Sequence, residues 1–434
     1  MKYALVNGHL LDGTLNANGE MEPHDGWAVL VDDERIVAVG DLATSDLMGY
    51  KLVDLKGAWV MPGLINLHAH LAASGKPPKA NAKPVDYKKL FDTLSKIPPV
   101  LAVYRKQCAD LAKDQLLSGV TTLRTVGGIL DFDGIIRDRV NEGKALGPRM
   151  LVCNTGVSVP GGHFAGSLAT EASSPEEAAE HVRQIAETNP DWIKLMITGG
   201  VMDASEEGEP GVLRMPPEVV RAACDQAHEL GYRVCAHVES PEGVRVALEN
   251  GVDTIEHGAK PTEHIIDLFR ERGAADVCTI SPALPYAEMP TTESHAPEIA
   301  KVNGKVVMDG IIACAKECLA AGIPVGLGTD SGCPFITHYD MWREVYYFAK
   351  YCDVTPSFAL HTATQVNAQI LGLGDETGSL EPGKSADLIV CEGNPLEDLT
   401  QLRTLRYVMC RGKLIKKPRP KRMARVDKAL DRYL

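Results

Sequence analysis

Two histidines two residues apart, His68 and His70, end the apolar run Met61-Pro-Gly-Leu-Ile-Asn-Leu-His-Ala-His70. The period of a strand puts both imidazoles on one face, where they can reach a common metal ion, and imidazole suits zinc and other borderline transition metals. Four more ionisable side chains stand in comparable settings: Lys194 in Asp191-Trp-Ile-Lys-Leu-Met-Ile-Thr-Gly-Gly200, His237 in Val234-Cys-Ala-His237, His257 in Thr254-Ile-Glu-His-Gly258, and Asp330 in Gly326-Leu-Gly-Thr-Asp-Ser-Gly332. A lysine inside an apolar strand is costly to bury charged, because desolvation disfavours the ammonium form. It can pair with a carboxylate. Alternatively the neutral amine can react with carbon dioxide to give a carbamate, an anionic oxygen ligand able to bridge two cations. His68, His70 and Asp330 would then hold one divalent ion, His237 and His257 a second, and carboxylated Lys194 both.

For these residues to meet, the elements carrying them must converge. Strand-like runs recur at 64–71, 121–126, 150–159, 192–197, 233–238, 254–257, 276–280 and 324–328. Between them lie amphipathic segments, among them 175–189, 217–230, 241–250, 263–272 and 306–321, several opening at Pro or an acidic residue and closing at Gly or Asn, which are helix start and stop signals. Eight such units match an α/β fold of the (β/α)8 TIM barrel type, whose active site lies at the C-terminal ends of the strands. Residues 1–58 carry short alternating segments separated by turn residues such as Asn7-Gly8 and Asp12-Gly13, and a similar texture returns in 374–415. The expected organisation is a small β-sandwich domain built from both termini, the barrel over 59–373 inserted between its halves, and a basic tail at 416–434.

A net charge of -13 argues against nucleic acid as a general partner. The eleven cysteines contain no Cys-x-x-Cys pair and read as small buried hydrophobes of a reducing compartment rather than a disulfide framework. With no signal-peptide pattern at the N-terminus and no apolar run of about 18 residues, a cytoplasmic location and no membrane partner are expected. The basic run Lys416–Arg425 reads as a solvated or subunit-docking tail, with an anionic surface as the alternative.

The motifs together resemble the metal-dependent amidohydrolase superfamily, from Pro62-Gly-Leu-Ile-Asn-Leu-His-Ala-His70 through Thr254-Ile-Glu-His-Gly258 and Gly328-Thr-Asp330 to Gly378-Ser-Leu-Glu-Pro-Gly-Lys-Ser-Ala-Asp-Leu-Ile-Val390. Ile193-Lys-Leu-Met-Ile-Thr-Gly-Gly-Val201 and Thr121-Thr-Leu-Arg-Thr-Val-Gly-Gly128 are similar to the branch holding Xaa-Pro and Xaa-Arg/Lys dipeptidases, imidazolonepropionase-like proteins and ochratoxin-cleaving amidases. The resemblance implies hydrolysis of an amide or peptide bond in a dipeptide or N-acyl amino acid. The nucleophile would be a water shared by two cations, with Zn2+ expected, whose pKa falls from 15.7 to roughly 7. Asp330 is then the candidate general base and acid. The family's habit also makes a homo-oligomer the expected assembly.

His163, in Pro160-Gly-Gly-His-Phe-Ala-Gly166, is a candidate oxyanion stabiliser, although Phe164 stands where the dipeptidases usually have glycine. After the strand-five histidine those enzymes carry Ala-Tyr, whereas this chain has Val238-Glu239. Glu239 is a candidate to orient a ligand, bind a cationic substrate or cap the following helix. It also keeps open deamination or opening of a cyclic amide; Lys194 argues against the mononuclear deaminases, and a non-catalytic metal-binding role is the remaining alternative. Arg124 and the basic loop Ser74–Lys83 are candidates to meet a substrate carboxylate, the acidic loop Asp203–Glu209 favours cations, and 282–293 with Tyr286 is expected to form pocket wall or lid.

Overall fold

The computed structural model describes residues 1–80 and 87–434. Each expected core segment contains a strand: Leu64–Ala69, Val120–Thr125, Arg149–Val152 resuming as Gly156–Ser158, Trp192–Met196, Arg233–Val238, Thr254–His257, Ala275–Cys278 and Val325–Leu327. They pair in parallel and in sequence order, giving an α/β fold. The first three form one sheet, and Gly156–Ser158 carries the order into a seven-stranded sheet that ends with Val325–Leu327. The last strand returns to the first: the N–H groups of Thr329 and Asp330 donate to the His68 carbonyl at 3.2 and 2.9 Å, and that of His70 donates to Ser331 at 2.8 Å. This approach requires glycine at 328, where a Cβ would stand 2.4 Å from that of His68.

Several helices begin at a hydroxyl cap, some with Pro at the first helical position. Ser174, Ser240 and Thr262 accept from the N–H of Glu177, Gly243 and Ile265 at the starts of Pro175–Ala186, Pro241–Glu249 and Glu263–Arg272. One expectation changes. The helix expected from Val306 begins at Glu298 and passes through Gly304, where a Cβ would lie 2.5 Å from the Tyr286 Cβ, so this glycine serves close helix packing. The segment 282–293, expected as pocket wall or lid, is largely helical, as Ile280–Glu288 and Thr291–Ser294, and the half-buried Tyr286 packs against the long helix.

The terminal segments form a four-stranded sheet, Arg35–Gly40, Ala28–Asp32, Tyr3–Val6 and Lys51–Asp54, and a six-stranded sheet joining both ends of the chain. In the latter Leu388–Cys391 lies antiparallel to Trp59–Pro62, so the terminal sheet extends past the boundary expected at 58. Leu5, Val31, Val53, Val60, Leu388 and Met409 share one apolar core. The lysines and arginines of the basic run Lys416–Arg425 are exposed, as expected of a solvated tail, while the helix Ala424–Leu430 that follows is docked: Val426, Ala429 and Leu430 are buried, and Arg343, Arg403 and Arg422 pair with Asp427 and Asp431. All eleven cysteines are free, ten of them buried. Among the described residues no helix is long and apolar enough to cross a membrane.

Candidate metal centre

His68, His70, Lys194, His237, His257 and Asp330 all lie at or just beyond the C-terminal ends of the parallel strands or, for Lys194, within one, and all are buried. Ligand atoms of His68, His70 and Asp330 lie within 4.8 Å of one another, as do those of His237, Glu239 and His257. The rings of His68 and His257, 4.8 Å apart between centroids, join the two groups.

Each histidine has one ring nitrogen occupied by the protein. His68 Nδ1 donates to Glu256 Oε2 at 2.8 Å, His70 Nδ1 to the Gly127 carbonyl at 2.8 Å, and His237 Nε2 to the Gly199 carbonyl at 3.2 Å. His257 Nδ1 bonds the Thr279 hydroxyl at 2.7 Å. A carbonyl can only accept, so it fixes the tautomer and leaves the opposite nitrogen as a lone-pair donor. The free nitrogens of His68 and His70 face Asp330 Oδ1 at 3.5 and 3.2 Å. Burial, with the Lys194 charge added, pushes His68 down to about 4, and burial holds His237 and His257 well below the usual imidazole range. Neutral imidazole is the metal-binding form. Burial opposes ionisation of Asp330, but the facing His68 and His70 outweigh it and hold its carboxyl well below the carboxylate range.

Asp330 Oδ1 and Lys194 Nζ are buried with no hydrogen-bond partner in the chain. Orphaned buried polar groups are rare, and here an acceptor, an amine and four directed imidazole nitrogens converge, which is the donor set that divalent cations need. Gly156 lies against the lysine, where a Cβ would stand 3.2 Å from its backbone oxygen and 3.4 Å from its Cγ. His257, at the last position of its strand, and Asp330, beyond the end of its own, have φ of 75° and 53°, left-handed values that cost non-glycine residues energy.

His163 stacks on His237 with ring centroids 4.2 Å apart and hydrogen-bonds through Nδ1 to Asp203, from the acidic loop after strand four. That loop is held down by Asn303, which accepts from Gly208 N–H and donates to the Glu206 carbonyl. Phe164 sits against both His163 and His70. Glu239 stands beside His237 and His257; burial, then the Asp330 and Asp203 charges, push its carboxyl up to about 8.

Arg124 does not face the pocket. It is wholly buried under the strands, donating to the Leu67 carbonyl, Thr254 Oγ1 and Glu256 Oε1 and stacking on Trp192. The expectation that it binds substrate is therefore corrected: it neutralises Glu256. Glu256 itself, absent from the sequence-derived site, links Arg124 to His68, and the Arg124 charge with the hydrogen bond from His68 holds its carboxyl far below the usual range against the effect of burial. Of the basic loop 74–83, residues 81–83 lie outside the described residues.

Residues 59–415 match the model of the amidohydrolase family. The chain is 25% identical to ochratoxinase of Aspergillus niger, over 92% of this chain and 85% of that protein. A Bifidobacterium longum protein proposed to be a prolidase superposes with a TM-score of 0.85 at 35% identity, over 100% of this chain and 99% of the other. A Xaa-Pro dipeptidase crystallised with methionine in its active site superposes with a TM-score of 0.81 at 27% identity, over 96% and 100%. A match over most of its length, joined to a buried set of directed histidines, shows that the chain belongs to the amidohydrolase family of metal-dependent hydrolases.

Proposed function

We propose that the protein is a binuclear hydrolase of amide or peptide bonds, acting on a small dipeptide or N-acyl amino acid. The observation that carries this reading is the convergence of four histidines, three of them with the tautomer fixed by an acceptor, with Asp330 and with a lysine whose amine has no partner in the chain. In this reading His68, His70 and Asp330 would hold one divalent cation and His237 and His257 the other, with carboxylated Lys194 as a ligand to both, and zinc would suit the imidazole-rich set. When bound, the cations supply hydroxide at neutral pH and polarise the scissile carbonyl. Asp330 takes the proton of the attacking water and returns it to the leaving nitrogen. His163, anchored by Asp203 and the stack on His237, directs its remaining ring nitrogen at the developing oxyanion.

The ring of parallel strands is read as a closed (β/α)8 barrel, and the two terminal sheets with their common core as a sandwich. The acidic net charge and the small buried centre support a small-molecule substrate. The test is elemental analysis of protein expressed with zinc and bicarbonate, with hydrolysis of a library of dipeptides and N-acyl amino acids. About two metals per chain with release of free amino acid is the expected result; ammonia as product, or absence of metal, refutes it.

A further inference from the structure

Phe164 occupies a left-handed backbone position, φ 52°, in the loop that carries His163. For a bulky residue this conformation is costly, whereas glycine or asparagine would adopt it with little strain. Hydrogen bonds on both sides impose it. Ser158 Oγ donates to the His163 carbonyl at 2.9 Å. The Phe164 carbonyl accepts from the N–H groups of Ser167 and Ala169 at 3.1 and 3.3 Å and from Ser167 Oγ at 2.9 Å. The strain of a phenylalanine here must be offset by what its ring does.

Packing does not supply the offset. The ring is half-buried and belongs to none of the three apolar clusters of the protein. Its ring contacts are with two imidazoles, His163 at 4.1 Å and His70 at 5.8 Å between centroids, tilted by 53° and 58°. His163 does not need the ring as a support, being held by the bond of its Nδ1 to Asp203 and by the stack on His237. Phe164 thus spans the gap between the oxyanion candidate and a ligand of the first cation. The uncovered part of its ring borders the space in which a scissile bond would lie. Apolar surface that the fold leaves uncovered at such a place is stabilised when an apolar group of the ligand covers it.

We propose that Phe164 sets the specificity of the site: its ring receives an apolar side chain flanking the scissile bond, so that the protein selects substrates with leucine- or phenylalanine-like side chains over glycine. This rests on the amide-hydrolase reading above and narrows it to an apolar substrate class. Three series, X-Gly, Gly-X and N-acetyl-X, with X as glycine, alanine, leucine or phenylalanine, are compared by kcat/KM, together with metal content per chain. A preference of about 10- to 100-fold for leucine or phenylalanine over glycine is expected in at least one series, the range for burying an apolar side chain. Phe164→Asn, which suits the left-handed backbone, loses the preference with metal content unchanged, and Phe164→Leu keeps part of it. Absence of the preference in the native protein or its survival in Phe164→Asn overturns the proposal. So does loss of metal, or an equal fall in kcat/KM for every X, in that variant, since either makes the ring a support for the centre. If no member of any series is cleaved, the amide-hydrolase reading fails, and the role of Phe164 is decided by calorimetric titration of the zinc-loaded protein with leucine hydroxamate and glycine hydroxamate. The native protein should bind the leucine compound about 10-fold more tightly and Phe164→Asn should bind the two equally. Equal binding by the native protein, or a preference that survives the substitution, overturns the proposal.

Discussion

Replacing Glu256 by Gln keeps its volume and removes its charge, and the consequences divide between stability and metal affinity. Oε2 accepts from His68 Nδ1 at 2.8 Å, while Oε1 accepts from Arg124 at 2.7 Å and from Thr254 Oγ1 at 2.7 Å. An amide has one acceptor oxygen and turns its N–H2 toward the other side, so either Arg124 or His68 loses its partner. If Arg124 loses it, a guanidinium with 0% exposure keeps only neutral acceptors. Breaking a buried pair from one side costs about 3–5 kcal/mol. If His68 loses it, the tautomer is no longer imposed, and metal affinity falls about 10- to 100-fold. Urea unfolding of chelator-stripped protein reads the first effect and competition with a chromogenic chelator the second. Adding Arg124→Met to Glu256→Gln removes the stranded charge, so the double variant should be more stable than Glu256→Gln alone while its metal affinity stays low. Stripped Glu256→Gln protein within about 1 kcal/mol of the parent, or a double variant that recovers nothing, would refute the assignment of Arg124 and Glu256 as a buried support for the centre.

Lys194→Ala should lower metal content below about two per chain and abolish activity, with partial recovery on adding a short carboxylate acid; full metal content would make Lys194 a packing residue. His163→Asn should lower kcat about 100- to 1000-fold with metal content unchanged, as removal of an oxyanion donor does. Both Asp133 oxygens are buried without a partner, and burial pushes the carboxyl up to about 6 from its ordinary 3.8. A raised acid binds its proton more tightly when folded, so its contribution to stability is present below pH 3.8, declines as pH rises to about 6 and stays lost above. Asp133→Asn should therefore stabilise the stripped protein at pH 8 by at most about 3 kcal/mol and by nothing near pH 3, read by denaturant unfolding at both. Equal effects at the two pH values would refute the shift.

The parallel strands, the principal helices and the cluster of His68, His70, Lys194, His237, His257 and Asp330 were legible because each depends on a local pattern. An apolar run of strand length ending in a ligand type is visible without knowing what it packs against. What required three dimensions was the identity of partners. Arg124 reads equally well as a substrate clamp or a core cation, and only its bonds to Leu67, Thr254 and Glu256 decide. The tail reads as basic because Lys and Arg crowd 416–425, while the acids that hold it, Asp427 and Asp431, lie outside that run and Arg343 reaches them from 84 and 88 residues away.

Glu256 shows the deepest limit of pattern reading. Strand alternation assigns His257 to the pocket and its neighbour to the opposite side. Yet Glu256 bonds the Nδ1 of His68 while the His257 ring lies 4.8 Å from the ring of the same residue. Two adjacent side chains address one histidine because His257, at φ 75°, has left the strand conformation, so alternation stops at Glu256. The strand keeps Glu256 inside, and the left-handed turn then swings His257 over the mouth. The cost of that conformation, about 1–3 kcal/mol, is sustained by the Gly258 N–H bond to Val238 and the Thr279 bond to the ring. Asp330, three residues beyond its strand, is also left-handed at φ 53°, with its N–H tied to the His68 carbonyl. The ligands nearest to both halves of the centre are thus set by two backbone departures that no periodicity encodes, and both are anchored on neighbouring strands.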